Sequence, residues 1–164
     1  MINEIRKQLP GYEITPISRQ NFAQAFEVYE SNQDFFILTQ GKKATIETSI
    51  NDITAIPPNC DISQKVYVSI WDDSQVIGVL DVITGFPKPN HIWIGLLLIH
   101  GKLHGKSIGS EVVSALLKAA KTAGYEDAPL GVIENNKKGI AFWQKHGFKE
   151  TRTSGNIVVM EIHL

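Results

Sequence analysis

The chain has one cysteine, Cys60. A disulfide within the chain needs two and a cysteine-built zinc site needs more, so neither is expected. No general base is argued for Cys60, so a cysteine nucleophile is not expected either. No sign of charge dominates. The 16 Lys and Arg nearly balance the 17 Asp and Glu, for a formal net charge of −1. Without a broad basic field, nucleic acid is not an expected partner. Long hydrophobic runs are missing as well. The apolar run from Ile92 to Ile99 is too short to cross a bilayer as a helix, so no membrane partner is expected. The start, Met1 to Lys7, lacks the basic-then-apolar layout of a signal peptide, and a cytoplasmic protein is the default expectation. No repeat, low-complexity stretch or linker divides the 164 residues. One domain over residues 1–164 is the economical reading.

The hydrophobic share of 43% is ample for a core, and its periodicity sorts the chain into elements. Tyr12 to Ile17 alternates and reads as a strand, with Pro16 placing it at an edge or strand end. Ser18 and Asn21 offer N-caps for a helix to about Ser31, with Phe22, Ala25, Phe26 and Tyr29 on one stripe. Asn32-Gln33-Asp34 breaks it. Phe35 to Leu38 is apolar and Gly41 ends that segment. A second helix is predicted over Ala44 to Ile53. Val66–Trp71, Val76–Ile83 and Ile92–Ile99 read as three strands of an antiparallel meander, turning at Asp72-Asp73-Ser74 and at Gly85–Asn90. A helix opens at Ser107 and carries Ile108, Val112, Ala115, Leu116, Ala119 and Ala123 on one face, with Gly124 at its C-cap. Leu130–Ile133 is a short strand. Asn135-Asn136 caps a helix to His146 that stops at Gly147. Phe148–Thr153 and Ile157–Leu164 close the chain as strands. The fold class is α+β, with a mixed, mostly antiparallel sheet flanked by helices.

The stretch from Ile99 to Ser110 draws attention because a buried strand feeds a glycine-containing turn that opens a helix. Glycine lets backbone approach a ligand, and the first N–H groups of a helix have no partner within it. Those donors and the helix dipole favour an anion. The stretch has two phosphate-binding readings. Gly105-Lys106-Ser107 ends a P-loop pattern, and Val79-Leu80-Asp81 imitates a strand ending in a magnesium-binding Asp. Against it, the pattern's leading glycine is replaced by His100, and Gly101 is one residue out of register. The other reading is a pyrophosphate cradle.

Together with the segment from Asn136 to Phe148, the stretch resembles the GNAT superfamily of N-acetyltransferases. His104-Gly105-Lys106-Ser107-Ile108-Gly109 stands where the family has Gln/Arg-x-x-Gly-x-Gly/Ala, with His104 for Gln or Arg and Ser107 for the first motif glycine. Asn136 to Phe148 is similar to the family's Asn-x-x-Ala-x-x-x-Tyr-x-x-x-Gly-Phe block, with Gly139 for Ala and Trp143 for Tyr. The resemblance covers about Val66 to the C-terminus. It implies a single GNAT-like domain whose fourth and fifth strands splay apart to take acetyl-CoA. It implies a cofactor site of Leu97, Leu98, Ile99, His104, Gly105, Lys106, Ser107, Ile108, Gly109, Ser110, Asn136, Phe142 and Trp143. The strand residues would bind the pantetheine by backbone, and the Leu98 and Ile99 backbone would polarise the thioester carbonyl. The implied reaction is acetyl transfer to an amine, on a small molecule or a peptide, by direct attack. A homodimer is a family habit. A non-catalytic acyl-CoA-binding module remains the alternative, and a P-loop-like nucleotide-binding protein a more distant one.

The attacking amine must lose a proton, so a base or water chain is required. Glu134, at the open end of the fifth strand, is the preferred acidic candidate. Asp81 is a second, acting through water, although a carboxylate at a strand end on the solvent face is the plainer reading. His91 and Trp93 share a strand face, with His91 a strand-end residue. His100 and His104 lack carboxylate companions, so no metal is expected. Lys102 and Lys106 suit phosphate and solvent equally. Residues 20–60 and the Gly85–Asn90 turn are expected to shape the acceptor pocket.

Overall fold

In the computed structural model, which describes residues 1–164, helix α1 (Ile2–Gln8) precedes strand β1 (Glu13–Pro16). Three helices come next, α2 (Phe22–Glu30), α3 (Gln33–Gln40) and α4 (Ile46–Asp52). Then come β2 (Lys65–Asp72), β3 (Gln75–Thr84), β4 (Ile92–Ile99), α5 (Ile108–Thr122), β5 (Asp127–Ile133), α6 (Lys137–Lys145), β6 (Lys149–Ser154) and β7 (Ile157–His163). The strands form one sheet in the order β1-β2-β3-β4-β5-β7-β6. Every neighbouring pair is antiparallel except β4 and β5. The meander from β2 to β4 matches the alternation in the sequence.

Each face of the sheet has its own core. On one, Val112, Leu116 and Ala119 of α5 and Ile5 of α1 pack against Ile70, Leu80, Ile94, Leu130 and Met160. On the other, Val28 and Tyr29 of α2 and Phe36 of α3 cover Tyr67, Val79 and Leu98. Three elements differ from expectation. Helix α1 is an additional element: Ile2, Ile5 and Leu9 have helical spacing, but the helix is only 7 residues long and is held by packing beneath α5. The supposed break at Asn32-Gln33-Asp34 is the start of α3, which Gly41 ends at φ +73°. Strand β5 begins at Asp127, ahead of the expected Leu130; Pro129, which removes a ladder donor, disguises its first half.

The feature that shapes the site is a bulge in β4. Asp81 opposes Leu96 and Val82 opposes Ile94, so Gly95 is the extra residue. Side-chain parity flips there. Ile92 and Ile94 face the α5 core; beyond the bulge Leu97 and Ile99 take that side and Leu98 turns to the other. Strands β4 and β5 meet at His91–Asp127 and Ile94–Leu130 and nowhere past Gly95. The sheet is therefore splayed from the bulge onward, in line with the GNAT resemblance.

Candidate active site

The splay opens into a cavity of 480 Å³ between the end of β4, the start of α5 and α6. Of the cofactor-site positions singled out in the sequence, all line it except Lys106. Lys106 is exposed, and its N–H is already bonded to the Leu103 carbonyl at 3.3 Å. By contrast, the N–H groups of Gly105, Ser107, Ile108, Gly109 and Ser110 have no acceptor in the protein. They form a run of donors at the positive end of α5. The turn gains its shape from left-handed backbone at Gly105 (φ +79°) and at Ser107 (φ +64°). It is pinned at its other end by Gly101, whose N–H donates to Ser31 Oγ at 3.0 Å.

The backbone of β4 divides by parity. His100 N–H bonds the Ile77 carbonyl at 2.8 Å, so the alternating pattern turns Leu98 N–H and C=O toward β3 as well. Leu97 and Ile99 turn theirs to the open edge. The expectation that Leu98 supplies a backbone donor to the cleft is thus corrected: that amide belongs to the β3 ladder. The Ile99 carbonyl accepts from Asn32 Nδ2 at 3.0 Å and from His104 Nε2 at 2.8 Å. Asn32 and His104 tie α3 and the turn to the end of β4. The Ile99 N–H and both polar groups of Leu97 are left on the free edge. Sequence reasoning misses Asn32, because there it reads only as a helix breaker.

Across the cavity, Asn136 caps α6 by accepting the Gly139 N–H at 2.9 Å, and its side chain also borders the cavity. Phe142 and Trp143 form the α6 wall. Their rings meet edge to face at 5.1 Å, and Trp143 meets Phe148 in the same way at 5.0 Å. At Gly109 of α5 a Cβ would make ordinary contact, 3.5 Å from both Ile99 and Phe142.

A second cavity of 280 Å³ occupies the gap between β4 and β5, roofed by Phe35, Thr39 and Gln40. It shares Phe35, Leu97, Asn136 and Trp143 with the first. Gly95 is exposed on its wall, and a Cβ there would lie 3.4 Å from Asp81 Oδ2. Asp81 itself lines neither cavity; its carboxylate lies beside Gly95, which borders the second one. Asp81 is not a solvated strand-end residue. It lies inside β3, with Oδ2 receiving Lys65 Nζ at 2.7 Å and Oδ1 sealed from solvent without a partner. Burial raises its pKa to about 6, outweighing the attraction of Lys65. Lys65 also donates to the Ala55 carbonyl at 2.8 Å and rests over the Tyr67 ring. Beyond it, Tyr67 and Tyr29 share a 2.7 Å hydroxyl contact and Tyr29 donates to Asp52. Burial pushes both phenols upward, so they remain protonated.

Glu134 is the residue just past the end of β5, is exposed, and lines neither cavity. The P-loop alternative also loses its geometry. Strand β3 runs antiparallel to β4, and Asp81 pairs with Leu96, away from the turn it would have to serve.

The sequence profile of the acetyltransferase (GNAT) family matches residues 25–148. A spermidine N(1)-acetyltransferase of Thermoplasma acidophilum is 27% identical over 120 residues, covering 73% of this chain and 71% of that protein. An uncharacterised protein of Methanocaldococcus jannaschii is 41% identical over 59 residues, 36% of this chain, which thus spans only 12% of that relative. Among solved structures, an acetyltransferase from Thermus thermophilus superposes with a TM-score of 0.81 at 20% identity, over 93% of this chain and 97% of that one. The PaiA N-acetyltransferase of Thermoplasma acidophilum, in complex with coenzyme A, gives 0.72 at 20% identity, over 93% and 99%.

Proposed function

The chain belongs to the acetyltransferase (GNAT) family, and from that premise we propose that it moves an acetyl group from acetyl-CoA to the amine of an acceptor by direct attack. The observation that carries this reading is the set of unpaired N–H groups of Gly105 and of Ser107 to Ser110, which opens on the same cavity as the free edge of β4. The residues present fit the cofactor. The donors at the start of α5 hold its pyrophosphate. The free groups of Leu97 and the Ile99 N–H pair with the pantetheine amides as an added strand would. A donor on this edge polarises the thioester carbonyl as charge develops on its oxygen. Phe142 and Trp143 wall the channel against water.

The acceptor enters the gap between β4 and β5 from the α3 side. Its neutral nitrogen forms the new C–N bond with the carbonyl carbon, and the C–S bond then breaks to release thiolate. The proton leaving nitrogen passes to Asp81 through the opening at Gly95, directly or over one water. A pKa of about 6 suits a proton acceptor at neutral pH. Glu134 is exposed, whereas Asp81 is buried beside Gly95, and Glu134 ranks behind Asp81 for this role. Trp143 does not protonate the thiolate, because an indole N–H does not ionise. The 27%-identical relative's name makes spermidine the first acceptor to try.

Thermal shift with acetyl-CoA, coenzyme A and Mg-ATP, followed by thiol release over a panel of amines, tests the reading. Acetyl-CoA raises the melting temperature, Mg-ATP does not, and at least one amine releases thiol. Binding without turnover on any amine would favour a non-catalytic acyl-CoA-binding module instead.

A further inference from the structure

Three strands meet at the closed end of the split, on the face away from α5. His91, just before β4, bridges Asp127 at the start of β5. Asp127 stands opposite His163 of β7, and Glu161 stands opposite Pro129, so Asp127, Glu161 and His163 share one face. A ring nitrogen of His91 and one carboxylate oxygen each from Asp127 and Glu161 all lie within 4.8 Å of one another.

Two of the three are set up in a way that ordinary surface charges are not. The His91 side chain is 5% exposed, and Nδ1 is sealed off without a partner. Its Nε2 lies 3.4 Å from Asp127 Oδ2, beyond usual hydrogen-bond distance. Nε2, the ring nitrogen on the cluster side, thus has no hydrogen bond of usual length and is the one placed to ligate. The Asp127 carboxylate is oriented from behind, since His163 Nδ1 contacts Oδ1 at 2.9 Å and leaves Oδ2 facing His91. Glu161 makes no hydrogen bond or ion pair, although Lys149 stands directly opposite it on β6.

We infer that His91, Asp127 and Glu161 form a site for a divalent transition metal, with zinc the ion of choice. Two ligands held at 2.0–2.1 Å on a tetrahedral zinc ion are about 3.3 Å apart, close to the separation of His91 and Asp127. One imidazole and two carboxylates favour zinc over magnesium, which prefers oxygen ligands alone. Water completes the coordination. His163 acts as the outer-shell partner that aims the carboxylate. The ion ties the residue before β4 to β5 and β7 at one of the two points where the strands meet, and so braces the closed end of the split. This site stands apart from the cofactor cavity and does not depend on the acetyltransferase reading.

The test uses the full chain, stripped with EDTA and titrated with zinc in a calorimeter and in thermal melts. One zinc ion per chain binds and raises the melting temperature, and excess magnesium does not compete. Glu161→Gln, at a half-buried position, and Asp127→Asn each weaken zinc binding about tenfold or more. Unchanged circular dichroism of Glu161→Gln shows that the loss is not unfolding. His100→Ala, at a histidine outside the cluster, leaves binding intact. No saturable zinc binding, binding unaffected by both carboxylate variants, or an equal loss in His100→Ala would overturn the inference.

Discussion

Replacing Asp81 by asparagine separates stability from chemistry. The carboxyl moves from 3.8 to about 6 on folding, because burial outweighs the nearby Lys65 ammonium. Over that window the folded chain keeps a proton that the unfolded chain has lost. Its stability therefore falls as pH rises from about 4 to about 6 and is flat above. At 1.36 kcal/mol per pH unit, the ionised carboxylate costs the fold about 3 kcal/mol at pH 7. Asparagine has the same shape and does not ionise. At low pH, Lys65 faces an uncharged neighbour in both chains, so its contribution nearly cancels. The stability of Asp81→Asn minus that of wild type should thus grow by about 3 kcal/mol between about pH 4 and pH 7. Urea unfolding followed by tryptophan fluorescence at several pH values measures this. In the same protein, turnover at saturating acetyl-CoA should fall about 10²–10⁴-fold, and its rise with pH near 6 should vanish. A stability difference that shrinks as pH rises would mean that Lys65 holds the carboxylate below its ordinary range. The physical basis for a proton acceptor would then be gone. The expected stability curve with unchanged turnover would leave Asp81 buried and strained but outside the chemistry.

Ser107→Gly should raise the melting temperature by about 3 °C, since a left-handed serine costs about 1 kcal/mol that glycine avoids. Gly101→Ala should destabilise the fold by about 1–3 kcal/mol in urea titrations, because its Cβ would lie 2.6 Å from the Ser31 carbonyl oxygen. It should also weaken acetyl-CoA binding by displacing the turn. Trp143→Phe should keep turnover within about tenfold of wild type, as its ring contacts survive and no proton is lost with the indole. A hundredfold loss with unchanged acetyl-CoA affinity would give the indole a chemical role.

Local rules explain what is legible in the chain by itself. The α5 stripe from Ile108 to Ala119, the glycine stops at Gly41, Gly124 and Gly147, and the hairpin at Asp73-Ser74 each depend on residues a few positions apart. Helix period, left-handed backbone and strand alternation act over that range, and they place the donor run at Gly105–Ser110 without knowledge of the rest. The resemblance that rests on those blocks extends to the fold. What lies outside it depends on partners far along the chain. Gly95 reads as an interruption in an apolar run. Only its pairing with β3 makes it a bulge, flips the parity of β4, and turns the Leu98 backbone to β3 while the backbone of Leu97 and Ile99 faces the open edge. Asp81 and Glu134 are both strand carboxylates in the sequence. Burial beneath α2–α4 raises the pKa of one, and the other stays exposed just past the end of β5. The histidines at positions 100 and 104 are close in sequence and have no carboxylate companions. His91, Asp127 and Glu161 are far apart in sequence and are brought together by sheet register. Backbone conformation is decided by near neighbours. The environment of a charge is decided by whatever the fold packs against it, and that information is spread over the whole chain.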